Sequence, residues 1–166
     1  MSLDVSYINC FIKALRDVMQ TMVQLEFSLG KPYINSDRLA RHDLCGSITL
    51  KGDITGLVVI NFSDTIAKKI SSQLWGTECQ KIDNDCLDAV GEFTNLVIGS
   101  AKTDLPGDNH FISVPRIDRK KEFIQYPDNL NIISIPCNGE AGQMIIDIAI
   151  CIGADNAQNS ETLVNA

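Results

Sequence analysis

Asp85-Cys86-Leu87-Asp88-Ala89-Val90-Gly91-Glu92-Phe93-Thr94-Asn95-Leu96-Val97-Ile98-Gly99-Ser100-Ala101-Lys102 is the run around which the chain is organised. On a helix, Asp88, Glu92, Asn95, Gly99 and Lys102 fall along one stripe. Leu87, Val90, Thr94, Val97, Ile98, Ala101 and Leu105 gather on the other side, and most of these are apolar. The pattern predicts an amphipathic helix running to about residue 105, with an acid and an amide one turn apart on its wet face. Asp83 and Asp85 put negative charge at its positive end, and Pro106-Gly107-Asp108-Asn109 breaks it. Gly91 and Gly99 each cost about 1 kcal/mol relative to Ala inside a helix. They are expected where something approaches closely, with Gly91 packing inward.

Outward from this helix, residues 4–29 carry Val5, Ile8, Ile12, Leu15, Val18, Met19, Met22 and Leu25 at three- and four-residue steps. That period predicts a long first helix, capped by Asp4 or Ser6, with both methionines in the core. Gly30-Lys31-Pro32 is read as its stop. Residues 44–50 and 54–62 are β-rich runs joined at Lys51-Gly52-Asp53, which reads as an antiparallel hairpin. Gly46 and Gly56 mark bulges or close backbone approach there. Ser63 caps a helix over 64–75 that buries Ile66, Ala67, Ile70 and Leu74, ends at Gly76 and packs Trp75. Residues 110–117 read as a strand that Pro115 confines to an edge or a bulge. Residues 129–136 pair with 143–152 across a turn over 137–142. The nearly all-apolar last strand is expected to be central. The expected fold is α+β: one domain over 1–153, an antiparallel sheet covered by the long N-terminal helix and the central helix, then a frayed tail over 154–166.

Bulk properties narrow the function. The 166 residues suffice for one cored domain, and the formal net charge of −7 argues against a nucleic-acid partner. The basic run 116–121 is interrupted by Ile117 and Asp118 and reads as a solvated strand end. No apolar run is long enough to span a bilayer. Met1-Ser2-Leu3-Asp4 lacks the features of a secretory leader, so the cytoplasm is the expected location. The six cysteines are scattered, without a C-x-x-C pair, and neither histidine forms a Cys/His metal pattern with them. They read as free thiols, the lesser alternatives being zinc, a disulfide or a small ligand. His42 and His110 lie in no metal or nucleophile pattern and are expected at the surface or hydrogen-bonded. Walker, dinucleotide and G-x-S-x-G motifs are absent. Any catalysis must use carboxylates, amides and groups borrowed from a partner.

Asp88-x-x-x-Glu92-x-x-Asn95, followed about twenty residues on by Pro115, resembles the motif of the CheC/CheX/FliY family, phosphatases of the phosphorylated chemotaxis regulator CheY. Tyr7-Ile8-Asn9-x-Phe11-Ile12, Gly30-Lys31-Pro32-Tyr33, the Gly46 to Gly56 hairpin and Gly91-Glu92-x-x-Asn95-Leu96-x-x-Gly99 extend the likeness over residues 5–151. The single Glu-x-x-Asn pair favours the CheX type. The resemblance implies a CheC-like fold and hydrolysis of a regulator's aspartyl phosphate. Asn95 would position the attacking water, and Glu92 would pair with a regulator lysine. Asp88, Gly99 and Lys102 would meet the regulator, with Gly99 giving it room. No cofactor is expected on this chain; Mg²⁺ would sit in the partner. A homodimer is expected, as in CheX relatives, with residues 130–135 and 144–151 as its sheet edge. The alternative is a non-catalytic module that binds a receiver or sensor protein, since a fold alone does not give activity.

Overall fold

Residues 44–62 form the expected hairpin, and the sheet grows on both sides of it. The computed structural model describes residues 5–152. Asp4, as a helix cap, and the tail 154–166 lie outside the described residues. The elements are α1 (Val5–Val18), β1 (Ser28–Leu29), β2 (Tyr33–Ile34), β3 (Leu44–Gly52), β4 (Ile54–Phe62), α2 (Asp64–Trp75), α3 (Asn84–Asp104), β5 (His110–Ile112), β6 (Arg116–Asp118), β7 (Ile133–Gly139) and β8 (Gly142–Ile152). All strand pairs are antiparallel, in the order β1-β7-β8-β4-β3-β5. Strand β2 joins β7 beside β1, and β6 joins β3 beside β5.

Strand alternation gives the sheet two unlike faces. Leu44, Ile48 and Leu50 of β3, Val58, Ile60 and Phe62 of β4, and Ile146, Ile148 and Ile150 of β8 share one cluster with most of the buried residues of the three helices. Phe62 meets Phe93 of α3 edge to face, with ring centroids 5.8 Å apart. Gly46 lets α3 reach the sheet, because a Cβ there would lie 2.1 Å from the Thr94 hydroxyl. On the reverse face Cys45, Val59 and Ala149 are covered by Ala40, Tyr126 and Ile132, which come from loops. The Asp147 carboxylate is wholly buried on this side and accepts from Asn61 Nδ2 at 2.7 Å and from the Tyr126 and Ser134 hydroxyls. Burial pushes its carboxyl above the usual range, partly offset by these donors.

The first helix is shorter than its period suggests. After Val18 it widens into a π turn, Met19–Val23, closed by left-handed Gln24, whose N–H bonds Met19 O. The wider turn delays the buried face by one residue. Val23 therefore takes the inward place, and Met22 is 49% exposed rather than in the core. Ser28 and Leu29, read as helix, instead pair with Asn138 and Cys137 of β7. Gly30 stops no helix; it rests against Pro136.

Strand β8 is central as expected, between β7 and β4, and its turn from β7 narrows to Glu140 and Ala141. Both strands read as a dimer edge are interior, since β1 and β2 cover the outer side of β7. Trp75 is 49% exposed instead of packed, and its indole donates to Asp85 O at 2.9 Å, tying α2 to the start of α3. His110 is buried, and among the described residues neither ring nitrogen finds a hydrogen-bond partner, contrary to expectation, because β5 turns it toward the helix side. His42 bonds Gln143 at 2.9 Å. The six cysteines are free thiols.

Candidate functional site

The start of α3 is fixed locally. Asp83 caps it by accepting from Cys86 N at 3.1 Å, and Asp85 lies in its first turn. Cys86, Ala89, Val90, Phe93, Thr94, Val97, Ile98 and Ala101 are its buried residues. This broad apolar footing leaves Asp88, Glu92 and Asn95 exposed on the opposite side. Helical spacing puts Glu92 and Asn95 one turn apart. Neither has a side-chain hydrogen bond or ion pair among the described residues. A helix held this firmly presents both groups at little further ordering cost.

A groove of about 520 Å³ runs between α3 and the β5–β6 segment. Asp88, Gly91, Glu92 and Asn95 form its polar wall, and Ile112, Val114, Pro115 and Ile117 its apolar wall. Gly91 does not pack inward as expected. It lies in this groove, where a Cβ would be 3.7 Å from Ile117 Cδ1. Gly99 lies farther along, under Ile112 of the same chain and outside the groove lining. Lys102 is half-buried in the last turn, also outside it. The fold therefore gathers Asp88, Glu92 and Asn95 and leaves Gly99 and Lys102 apart.

The apolar wall escaped the sequence reading. Its one visible signal is Pro115 within an otherwise strand-like run. A second cavity, about 640 Å³, lies beside the start of α3 and is lined by Trp75, Glu78, Cys79, Lys81, Asp85 and Asp88 among others. It contains neither Glu92 nor Asn95, so the groove is the better candidate despite its smaller volume. Asp88 stands on the crest between the two.

The chemistry of the groove is that of an incomplete site. An amide can accept from a water through its carbonyl and donate from its NH₂ to an anionic oxygen. A carboxylate one turn away can hold a cation. No histidine or thiol lines the groove to act as a nucleophile or strong base. Among the described residues no three His, Cys, Asp or Glu side chains converge to hold a metal ion.

Comparison with known proteins places the chain. The curated CheY-P phosphatase CheX of Thermotoga maritima is 29% identical over 98 residues, which are 58% of this chain and 63% of that protein's length. A CheC-like superfamily protein from Shewanella sp. PV-4 is 31% identical, with a TM-score of 0.81 over 90% of this chain and 99% of its own. The structure of the CheX-CheY-BeF3-Mg²⁺ complex from Borrelia burgdorferi includes a chain 22% identical to this one. That chain has a TM-score of 0.72 over 87% of this chain and 97% of its own, a likeness of fold. The family model described as chemotaxis phosphatase CheX matches residues 44–138, and the chain belongs to that family.

Proposed function

We propose that this protein hydrolyses the aspartyl phosphate of a CheY-like receiver domain and so ends a chemotaxis or related two-component signal. The observation that carries this reading is the pair Glu92 and Asn95, exposed and, among the described residues, without a side-chain partner, on a firmly seated helix beside a groove. Membership of the CheX family supports it, as does the name of the Thermotoga maritima relative. The Borrelia burgdorferi complex, which contains CheY, BeF3 and Mg²⁺, supports a receiver as the partner and Mg²⁺ as part of the partner's site.

The reaction asks little covalent chemistry of this chain. Phosphoryl transfer passes through a loose transition state, so the demand is an in-line water more than a strong base. The Asn95 carbonyl accepts from that water and holds it against phosphorus, while the NH₂ faces a phosphoryl oxygen. As water attacks, the bond from phosphorus to the aspartyl oxygen breaks and the carboxylate leaves. Glu92 pairs with a receiver lysine and fixes the register of α3 in the partner's site. Asp88, Gly99 and Lys102 make outer contacts with the receiver. The protein works in the cytoplasm as a homodimer; light scattering at two concentrations tests the oligomer, and a constant monomer mass would refute it.

The decisive experiment is a phosphoryl-lifetime assay on receiver domains, with the parent beside Asn95→Ala. Since misplacing a reacting group costs about 10²-fold, the variant is expected to lose at least about that factor in kcat. Its circular dichroism and melting temperature should match the parent, because Asn95 is exposed. Undiminished turnover would remove the mechanism. Binding by the parent without any shortening of phosphoryl lifetime would make the protein a receiver-binding module instead.

A further inference from the structure

The β5–β6 segment does not follow β3 in simple register. Leu50 pairs with Ile112, and Ser47 pairs with Arg116. Three steps along β3 therefore face four along the neighbouring segment, and residues 113–115 hold one residue too many. The local hydrogen bonds show how the surplus is absorbed. Ser113 N donates to Thr49 O at 3.0 Å, while Thr49 N donates to the Ser113 hydroxyl at 3.0 Å, where a regular ladder would offer a backbone carbonyl. The same hydroxyl donates to Val114 O at 2.9 Å. Pro115 has no N–H to leave unpaired. The segment is a β-bulge, and such bulges re-aim side chains and often lie next to active sites.

The residue thrown outward is Val114. At 84% exposure it is the most exposed large apolar side chain among the described residues. A single exposed valine needs no explanation. This one, however, stands in the wall facing Glu92 and Asn95, continuous with half-buried Ile112, Pro115 and Ile117. Across the groove, Asp88 and Glu92 have no cation within ion-pair distance among the described residues. The two walls together suit a protein surface that offers a cation beside an apolar side chain.

We propose that the bulge at 113–115 makes Val114 the apolar anchor for the receiver domain, a positioning residue that sets how deeply the partner seats against α3. This rests on reading Glu92 and Asn95 as the phosphatase pair. The bulge is the device: it costs one rung of sheet pairing and holds a valine in water until the partner covers it.

The test separates this inference from the reading beneath it. Binding of a receiver carrying BeF3 and Mg²⁺ is measured by titration calorimetry on Asn95→Ala protein, with and without Val114→Ser. Covering a valine side chain accounts for roughly a tenfold change in affinity, so Kd is expected to rise about tenfold in the double variant. Val114→Ile should restore it. Met22→Ser, which trims exposed apolar surface at the end of the first helix, should bind as Asn95→Ala does. A Kd within twofold on Val114→Ser, with Asn95→Ala inactive in turnover, overturns the anchor and leaves the phosphatase reading standing. Full turnover by Asn95→Ala, or no receiver binding at all, removes that reading and the anchor with it.

Discussion

Replacing Gly46 by alanine tests whether the placement of α3 is set by one close contact with the sheet. A Cβ built at Gly46 would lie 2.1 Å from Thr94 Oγ1, 3.1 Å from its Cβ and 3.2 Å from its Cγ2. The hydroxyl cannot simply swing away without loss, because it donates to Val90 O at 2.7 Å in a fully buried site. Overpacking of this kind costs about 1–3 kcal/mol, and the lower chain entropy of alanine offsets about 0.5–1 kcal/mol of it. A net loss of about 1–2 kcal/mol follows, or roughly 2–8 °C in melting temperature for a chain of this size. Thr94 is adjacent to Asn95, so on the proposed function receiver dephosphorylation should fall as well if α3 shifts by a few tenths of an ångström. The diagnostic is the cycle with Thr94→Ala, which removes Oγ1 and Cγ2. The double variant should be more stable than the sum of the single effects by about 1 kcal/mol or more. Urea unfolding of the four proteins measures this. Strict additivity, or a Gly46→Ala protein as stable as the parent, would refute the contact as the determinant of helix position.

Two further predictions concern ionisable groups away from the groove. Burial raises the Asp147 carboxyl, so its contribution to stability is complete below the unfolded value of about 3.9 and is lost as pH rises through the folded value. The stability of the parent relative to Asp147→Asn should therefore decline as pH rises above about 4 in urea titrations, and a gap that widens in the parent's favour would contradict the assignment. Burial also pushes the Cys45, Cys86 and Cys137 thiols up to about 12. At pH 8 iodoacetamide should label half-buried Cys79 and Cys151 well before these three, as read by peptide mass mapping; early labelling of Cys137 would count against it.

Much of the fold was legible because the relevant patterns are local. The α3 stripe, the hairpin at Gly52 and the Ser63 cap each depend on residues a few positions apart. Gly46 announced a close approach, but only the tertiary fold supplies Thr94 as its cause. The errors share a physical origin too. One π turn moved Met22 out of the core while the hydrophobic period continued unbroken to Leu25, since composition does not distinguish 3.6 from a locally wider turn. Strand β1 has two residues and owes its existence to pairing with β7, not to its own propensity. Within the site, the polar wall lies on one helix and was visible as a stripe. The apolar wall comes from a bulged edge segment whose register is set by β3, so only Pro115 hinted at it.

The two walls bear on how the proposed site would work although this chain supplies only part of it. On the proposed reading, an amide that only positions a water needs no activated state, so Asn95 can do its work exposed on α3. What it requires is a fixed position relative to someone else's phosphoryl group. Position is what this fold supplies: eight buried residues seat α3, Thr94 keys it into Gly46, and the bulge adds a contact on the far side of the groove. One contact would let a docked partner pivot about α3. If the receiver docks as proposed, Glu92 and Val114 on opposite walls make two, and two restrain that rotation. On the proposed mechanism, a receiver that met only Glu92 would bind in many orientations and seldom align its phosphorus with a water held by Asn95. On the proposed docking, selectivity for the right receiver rests on alignment as well as affinity: shortening Glu92 to aspartate should lower kcat, and trimming Val114 should raise Kd and lower kcat.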